Sequence, residues 1–344
     1  MRIACLFLLM ATGATAAEKL VLVAGGEKAG FKEPFGLDFM PDGNIVLVEL
    51  VGNRVAHIDQ DGKVTSYAGT GQKGRADGPA GKATFNGPHN LAVAKDGTIY
   101  VADTFNGLIR KIDPKTREVT TIAGQLKPGF SGDGGPAKDA GFGSTFHVAV
   151  DPAQENLYIA DLGSVRIRKI DLKTGNISTV AGNGKKGVPT DGANATEAPL
   201  SDPRACDIDS KGRLYILERN GDALRVVENG KIRTVVGGMT VTSLDGKANV
   251  SAGKGNLLRG PKLIWVDKND DVLIADAENN TIRKYVAKDG TCPLVAGTGK
   301  KGDNGLDKDP KECEIARPHG VAEGPDGTLW VVDSYNHRLL KIQK

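Results

Sequence analysis

The chain has no late apolar run long enough to cross a membrane, almost no cysteine and almost no excess charge, and each shortage excludes a class of protein. A membrane span needs about 20 apolar residues; the longest run, Ile3 to Ala11, is about half that. A net charge of +3, from 45 basic and 42 acidic residues, is too small for a dedicated nucleic-acid binder or a charged disordered tail. Four cysteines in 344 residues, without metal-site spacing, exclude a structural zinc module. The Gly-x-Ser-x-Gly elbow, His-Glu-x-x-His and a phosphate-binding Walker loop are all missing, so no catalytic residue is assigned.

Glycine, in contrast, is abundant: 46 of 344 residues, about 13%, against roughly 7% in an average protein. Each interior Gly costs a helix about 1 kcal/mol relative to Ala, so a helical bundle is excluded and a turn-rich all-β chain is implied. Residues 1–17 read separately, as a secretory signal peptide: Arg2, the short apolar run, then Ala14-Thr15-Ala16. The mature protein, residues 18–344, is expected to be secreted or periplasmic and monomeric, without a lipid anchor because Cys5 lies inside the apolar run. An oxidising compartment makes Cys292 and Cys313 the expected disulfide pair, with Cys206 a buried apolar side chain; three free buried cysteines are the alternative.

One phrase recurs six times, with starts at Pro34, Pro88, Thr145, Pro203, Pro261 and Pro318, spaced 54, 57, 58, 58 and 57 residues apart. In the second copy, His89–Ala94, Thr98–Asp103, Leu108–Asp113 and Glu118–Gly124 are four short strands separated by turn residues. One four-stranded unit cannot bury both of its faces, and six arranged radially can, which defines a six-bladed β-propeller. The sixth copy stops at Lys344 after three strands, while Leu20-Val21-Leu22-Val23-Ala24-Gly25 matches the fourth strands elsewhere. The N-terminal strand is therefore expected to complete the last blade and close the ring.

The segment Leu-Ala-Val…Asp-Gly-Thr-Ile-Tyr-Val-Ala-Asp-Thr-Phe-Asn-Gly-Leu-Ile-Arg-Lys-Ile, with Ser131-Gly132-Asp133-Gly134-Gly135-Pro136-Ala137, resembles the NHL-repeat family over essentially the whole mature chain. The resemblance implies the propeller fold and leaves function open. Such propellers serve as extracellular interaction domains, as RNA-binding domains of tripartite-motif proteins and as the peptidyl-amidating lyase, and the related gluconolactonase and streptogramin-lyase propellers are enzymes.

Repeated residues belong first to the scaffold. The second-strand acids Glu49, Asp103, Asp161, Glu218, Asp276 and Asp333 are expected to accept hydrogen bonds from the N–H groups of the turn that follows, rather than to ring a cation. Asn106, Asn279 and Asn336 belong to that turn. The acids of the inter-blade connections, Asp77, Asp133, Asp191, Asp245 and Asp303, read as structural turns, since their spacing lacks the many-oxygen loop of a calcium site.

Function is sought where equivalent positions differ. First-strand core positions are uniformly apolar (Leu37, Leu91, Val148, Cys206, Ile264, Val321), whereas the column at the strand entrance reads Phe35, His89, Phe146, Arg204, Lys262, His319. Arg204 and Lys262 with the aromatic and imidazole rings suit a small anionic molecule, a peptide or a protein partner at the axial mouth. The rival assignment is a metal-dependent lyase or hydrolase, with a divalent metal, zinc or calcium, and with His89, His147 and His319 as ligands. Resemblance to the amidating lyase, whose zinc is held by histidines from different blades, implies that placement for His89 and His319, each in a Pro-His step; Arg204 and the one-residue offset of His147 depart from it. Lactonase chemistry would instead use Asp38 and Asp207, at equivalent first-strand positions, to help hold a divalent cation.

Overall fold

A computed structural model describes residues 17–26, 30–125, 129–237 and 257–344; the expected signal peptide, apart from Ala17, and Asp245 lie outside the described residues. Short alternating segments bounded by Gly, Asp and Pro turns fold into six antiparallel sheets, one per repeat. Blade 1 runs through Pro34–Phe39, Ile45–Glu49, Arg54–Ile58 and Val64–Ala68. Blade 2 contains Asn90–Val93, Ile99–Asp103, Leu108–Ile112 and Glu118–Ala123, with the short Gly78–Pro79 added at its outer edge. The pattern continues from Thr145–Val150, Pro203–Ile208 and Leu263–Val266 as the first strands of blades 3, 4 and 5. Among the described residues there is no α-helix, only single 3-10 turns, and no helix is long and apolar enough to cross a membrane.

Blade 6 takes three strands from the C-terminus, Gly320–Glu323, Leu329–Asp333 and Arg338–Gln343, and the fourth, Lys19–Gly25, from the N-terminus. Leu20 pairs with Ile342 and Leu22 with Leu340, and a bulge follows between Leu22 and Ala24. The far edge of the closing strand is also occupied: the Leu20 N–H donates to the Lys308 carbonyl (3.0 Å), and its carbonyl accepts from Asp307 N–H (2.9 Å).

The two-residue period of each strand sends alternate side chains to opposite neighbours. In blade 2, Ile99 and Val101 enter the core shared with blade 1, whereas Tyr100 and Ala102 enter the core shared with blade 3. Six such cores fill the interfaces around the ring, and Leu37, Leu91, Val148, Cys206, Ile264 and Val321 each lie in a different one. The Ala-Gly ending of the outer strands is steric in origin. Gly124 has φ +101°, and a Cβ there would sit 2.4 Å from the Gly107 carbonyl oxygen.

The cysteine pairing is corrected by this packing. Cys292 lies in the core between blades 4 and 5 and Cys313 in the core between blades 5 and 6, on opposite faces of one sheet. Both are free and buried, as is Cys206, and the Cys313 Sγ–H donates to the Gly305 carbonyl (2.6 Å).

The second-strand acids are scaffold, with donors other than those expected. All six are fully buried. In blade 2, Asp103 Oδ1 accepts from Asn86 N–H (2.7 Å), in the connection before the first strand, and Oδ2 accepts from Asn106 Nδ2 and Arg110 Nη1 (both 2.8 Å). Asp333 repeats this with Ala316 N–H, Asn336 and Arg338. In blade 4, Glu218 accepts from Ser201 N–H and Arg225. The backbone donors thus come from the preceding inter-blade connection; the following turn adds side-chain donors, an Asn amide in blades 2, 5 and 6 and Ser164 in blade 3. The connection acids Asp77 and Asp133 tie back to their own blades by accepting from the outer-strand hydroxyls and N–H groups of Thr121 and Thr179 and from Arg110 and Arg168.

Candidate binding site at the propeller hub

The first strand of a blade begins opposite the end of its second strand, as Thr145 opposite Asp161 and Pro203 opposite Glu218 show. The entrance column therefore gathers at the axis, level with the second-strand turns. Rings from four blades form a continuous chain there: His319 stacks on Phe35 (4.1 Å between centroids, 18°), Phe35 meets His89 edge-on (5.0 Å, 87°), and His89 meets Phe146 (4.5 Å, 65°). The Arg204 guanidinium closes the row over the Phe146 ring at 3.9 Å. Phe35, His89, Arg204 and His319 are each at most 7% exposed, so the hub is a packed plug rather than an open mouth.

Electrostatically the plug is cationic. Among the described residues Arg204 makes no ion pair, and its buried Nη1 has no hydrogen-bond partner. Other buried arginines are paired: Arg110 with Asp103, Arg168 with Asp133, Arg225 with Glu218 and Arg338 with Asp333. Burial, followed by the charge of Arg219, holds the Arg204 pKa below the arginine range. Lys262 lies 3.6 Å from Glu278; burial and Arg204 lower its pKa to about 8. His89 and His319 are pushed well below the usual imidazole range, first by burial and then by the charge of Arg204, so both are neutral at pH 7. His89 Nδ1 hydrogen-bonds the Gly87 carbonyl (2.9 Å), whereas the buried His319 Nδ1 has no partner.

Above the plug lies a rim that the sequence column did not include, formed two residues beyond each second-strand acid. Val51, Phe105 and Tyr335 occupy this position and are 55%, 61% and 38% exposed. Phe105 meets His89 edge-on (5.5 Å), Tyr335 lies 5.9 Å from His319, and Glu278, at the same position in blade 5, pairs with Arg317. The signal was available as a second variable column, Val51, Phe105, Gly163, Asn220, Glu278, Tyr335.

The three histidines considered as metal ligands are not gathered into one set. Phe35 separates His89 from His319, and His147, one residue out of register, hydrogen-bonds the Cys206 backbone of blade 4. Among the described residues, no group of three or more His, Cys, Asp or Glu side chains has metal-holding geometry.

Along the later halves of the first strands, a cavity of about 310 Å³ follows the axis, lined by five blades and containing Asp38, Asp207, Asn90, His147 and Trp265. Asp38 and Asp207 act as clasps between blades. Asp38 Oδ2 accepts from Val93 N–H and Asp207 Oδ2 from Val266 N–H (both 2.7 Å), while Asn90 Oδ1 accepts from Val148 N–H (3.0 Å). Burial raises both aspartate pKa values to about 7.

This radial ring of NHL-like repeats defines the class. The teneurin NHL domain model matches residues 61–249 and the NHL repeat model residues 316–342. The chain belongs to the NHL-repeat family. Among curated relatives, bovine NHL repeat-containing protein 2 is 27% identical over 86% of this chain and 44% of its own length. Arabidopsis thaliana SUPPRESSOR OF QUENCHING 1 is 28% identical over 81% of this chain and 27% of its own length. The chain thus spans less than half of either. Among solved structures, a streptogramin B lyase superposes with TM-score 0.57 at 15% identity (95% of this chain, 98% of that one), and a putative gluconolactonase with 0.60 at 12% identity (96% and 93%). At these identities the likeness is one of fold.

Proposed function

We propose that the chain binds an anionic ligand, either a small carboxylate or an acidic peptide segment of a partner protein, on the hub face, with Arg204 and Lys262 as anchors and Val51, Phe105 and Tyr335 as the apolar rim. The observation that carries this reading is the unpaired Arg204. A buried charge without a partner costs several kcal/mol, and the chain pairs its other large buried arginines. An incoming carboxylate supplies the missing partner, and the neutral, ring-stacked histidines add donors and walls without competing charge. The leader sequence supports an exported protein that meets its ligand outside the cytoplasm.

Calorimetric titration with citrate and with an acidic hexapeptide, against a neutral sugar as control, tests the proposal. Saturable binding that is lost in Arg204→Met, with the fold retained, is the expected result. Equal heats for wild type and variant would remove it. Elemental analysis belongs beside this titration: about one zinc or calcium ion per chain, lost on His89→Ala, would replace the anion reading by the metal-dependent lyase or hydrolase.

A further inference from the structure

The axial cavity is chemically the opposite of the hub. Its polar groups include two half-buried carboxylates, Asp38 and Asp207, neither of which forms an ion pair with any described residue. Each carboxylate accepts one backbone N–H from the next blade and one from its own strand, Phe39 N–H (2.7 Å) and Ile208 N–H (2.8 Å), which leaves the remaining lone pairs to the cavity. The third group is His147, 5% exposed. It hydrogen-bonds the Cys206 backbone, and its Nδ1 has no partner. Nδ1 is thus the unpartnered imidazole atom, and it can accept from a guest in the tautomer that carries its proton on Nε2. Asn90 adds no free acceptor of the same strength, because its Oδ1 is taken by Val148 N–H. The rest of the lining is largely apolar and includes Trp265, at the strand position equivalent to Asp38 and Asp207.

A space lined by acceptors and lacking a cation of its own selects a donor-rich positive guest. We infer that this cavity is a binding site for a small primary ammonium compound, held by Asp38 and Asp207 with His147 Nδ1 accepting an N–H and Trp265 closing an apolar wall. The volume falls at the lower bound of ligand pockets, roughly 300–1,000 Å³, which sets a guest of a few carbon atoms. A metal ion fits less well. No three candidate ligands converge among the described residues, and the imidazole offers one acceptor beside aliphatic walls. An ammonium head uses separated acceptors, and its alkyl tail uses the apolar lining. The site lies on the other side of the Phe35–His319 plug from the proposed anion site and does not depend on it.

Protonation provides a signature. Both aspartates titrate near pH 7 through burial, with a smaller contribution from the like charge of Asp207 on Asp38 and of Asp209 on Asp207. Asp209 is itself paired with Arg213, the Cys206 thiol is pushed up by burial, and His147 stays neutral because burial, and then the charge of Arg204, lower it to about 3. Binding an ammonium ion then displaces protons from the carboxyls, so affinity increases with pH.

The experiment is calorimetric titration of the full chain with n-butylamine and 1,4-diaminobutane, with tetramethylammonium and calcium as comparison cations. The expected result is saturable amine binding, several-fold tighter at pH 8 than at pH 6, weakened at least tenfold in Asp38→Asn and in Asp207→Asn and not weakened by Arg204→Met. Trp265→Phe should abolish the accompanying fluorescence change. If either Asn variant fails to fold, the pH dependence in the wild type and the Trp265 signal decide alone. Absence of amine binding at millimolar concentration, calcium binding that amines do not displace, or unchanged amine affinity in both folded Asn variants would each overturn the inference.

Discussion

The His319 and Phe35 rings lie nearly parallel, 4.1 Å apart, joining the last blade to the first at the propeller axis. The stack has two consequences for the molecule. It ties the ring where the chain closes, and it keeps a neutral imidazole, with a bare Nδ1, beneath the exposed rim.

Closure itself gives the first expectation. Leu20 is fully buried among Leu340, Ile342 and Ile315 in the core between blades 5 and 6. Leu20→Ala is expected to destabilise the protein by about 2–5 kcal/mol, and removal of residues 18–26 by considerably more. Chemical denaturation of the variants checks this; an unchanged midpoint for the truncated chain would contradict the strand's closing role.

Arg204→Met removes a buried guanidinium whose Nη1 is unsatisfied, a defect worth about 1–3 kcal/mol, at the loss of its contact with Phe146. The variant is expected to be at least as stable as the parent, while losing affinity for citrate or the acidic peptide. Thermal melting and titration on the same sample separate the two effects. A stability loss together with unchanged binding would make Arg204 a purely structural residue.

The paired arginines should behave in the opposite way. Arg110 is fully buried, donates to Asp103, Asp77 and the carbonyls of Thr84 and Ala76, and so ties the second, third and connecting segments of blade 2 together. Arg110→Ala leaves the buried Asp103 carboxylate without its countercharge and is expected to cost about 3–5 kcal/mol. Denaturant titration checks the magnitude, and Asp103→Asn in the same background should recover part of it.

Much of this architecture could be read in advance, and the reasons are local. Turn residues recur at fixed offsets, the outer strands end in Ala-Gly because Gly124 and its equivalents need positive φ beside a carbonyl, and the missing fourth strand of blade 6 has one counterpart in the chain. The entrance column was also legible, since Phe35, His89, Phe146, Arg204 and His319 do meet. Its burial was not, because the turns bearing Phe105 and Tyr335 fold over it from a different part of each repeat. The cysteines misled for a related reason: Cys292 and Cys313 are only 21 positions apart, yet the intervening outer strand Leu294–Ala296 puts them on opposite faces of the sheet. The donors to the buried acids come from connections whose path no local pattern specifies.

The pH dependence of stability follows from groups of opposite sign. His89, His147 and His319 have folded pKa values lowered by burial, so protonation favours the unfolded chain; their stabilising contribution is complete above the unfolded value of about 6.5 and is lost as pH falls toward the folded values, about 3 for His147. Asp38 and Asp207 have folded values raised to about 7 from 3.8, so the folded chain holds extra protons, and their contribution is lost as pH rises between about 4 and 7. The two trends oppose each other across that window. Removing one should expose the other: His319→Gln is expected to lessen the loss of stability below pH 6, and Asp38→Asn to lessen the loss on going from pH 5 to pH 8. Melting temperatures measured from pH 4 to 9 for the parent and both variants test this. A parent profile displaced equally at every pH by either substitution would show that the group titrates no differently in the folded and unfolded states.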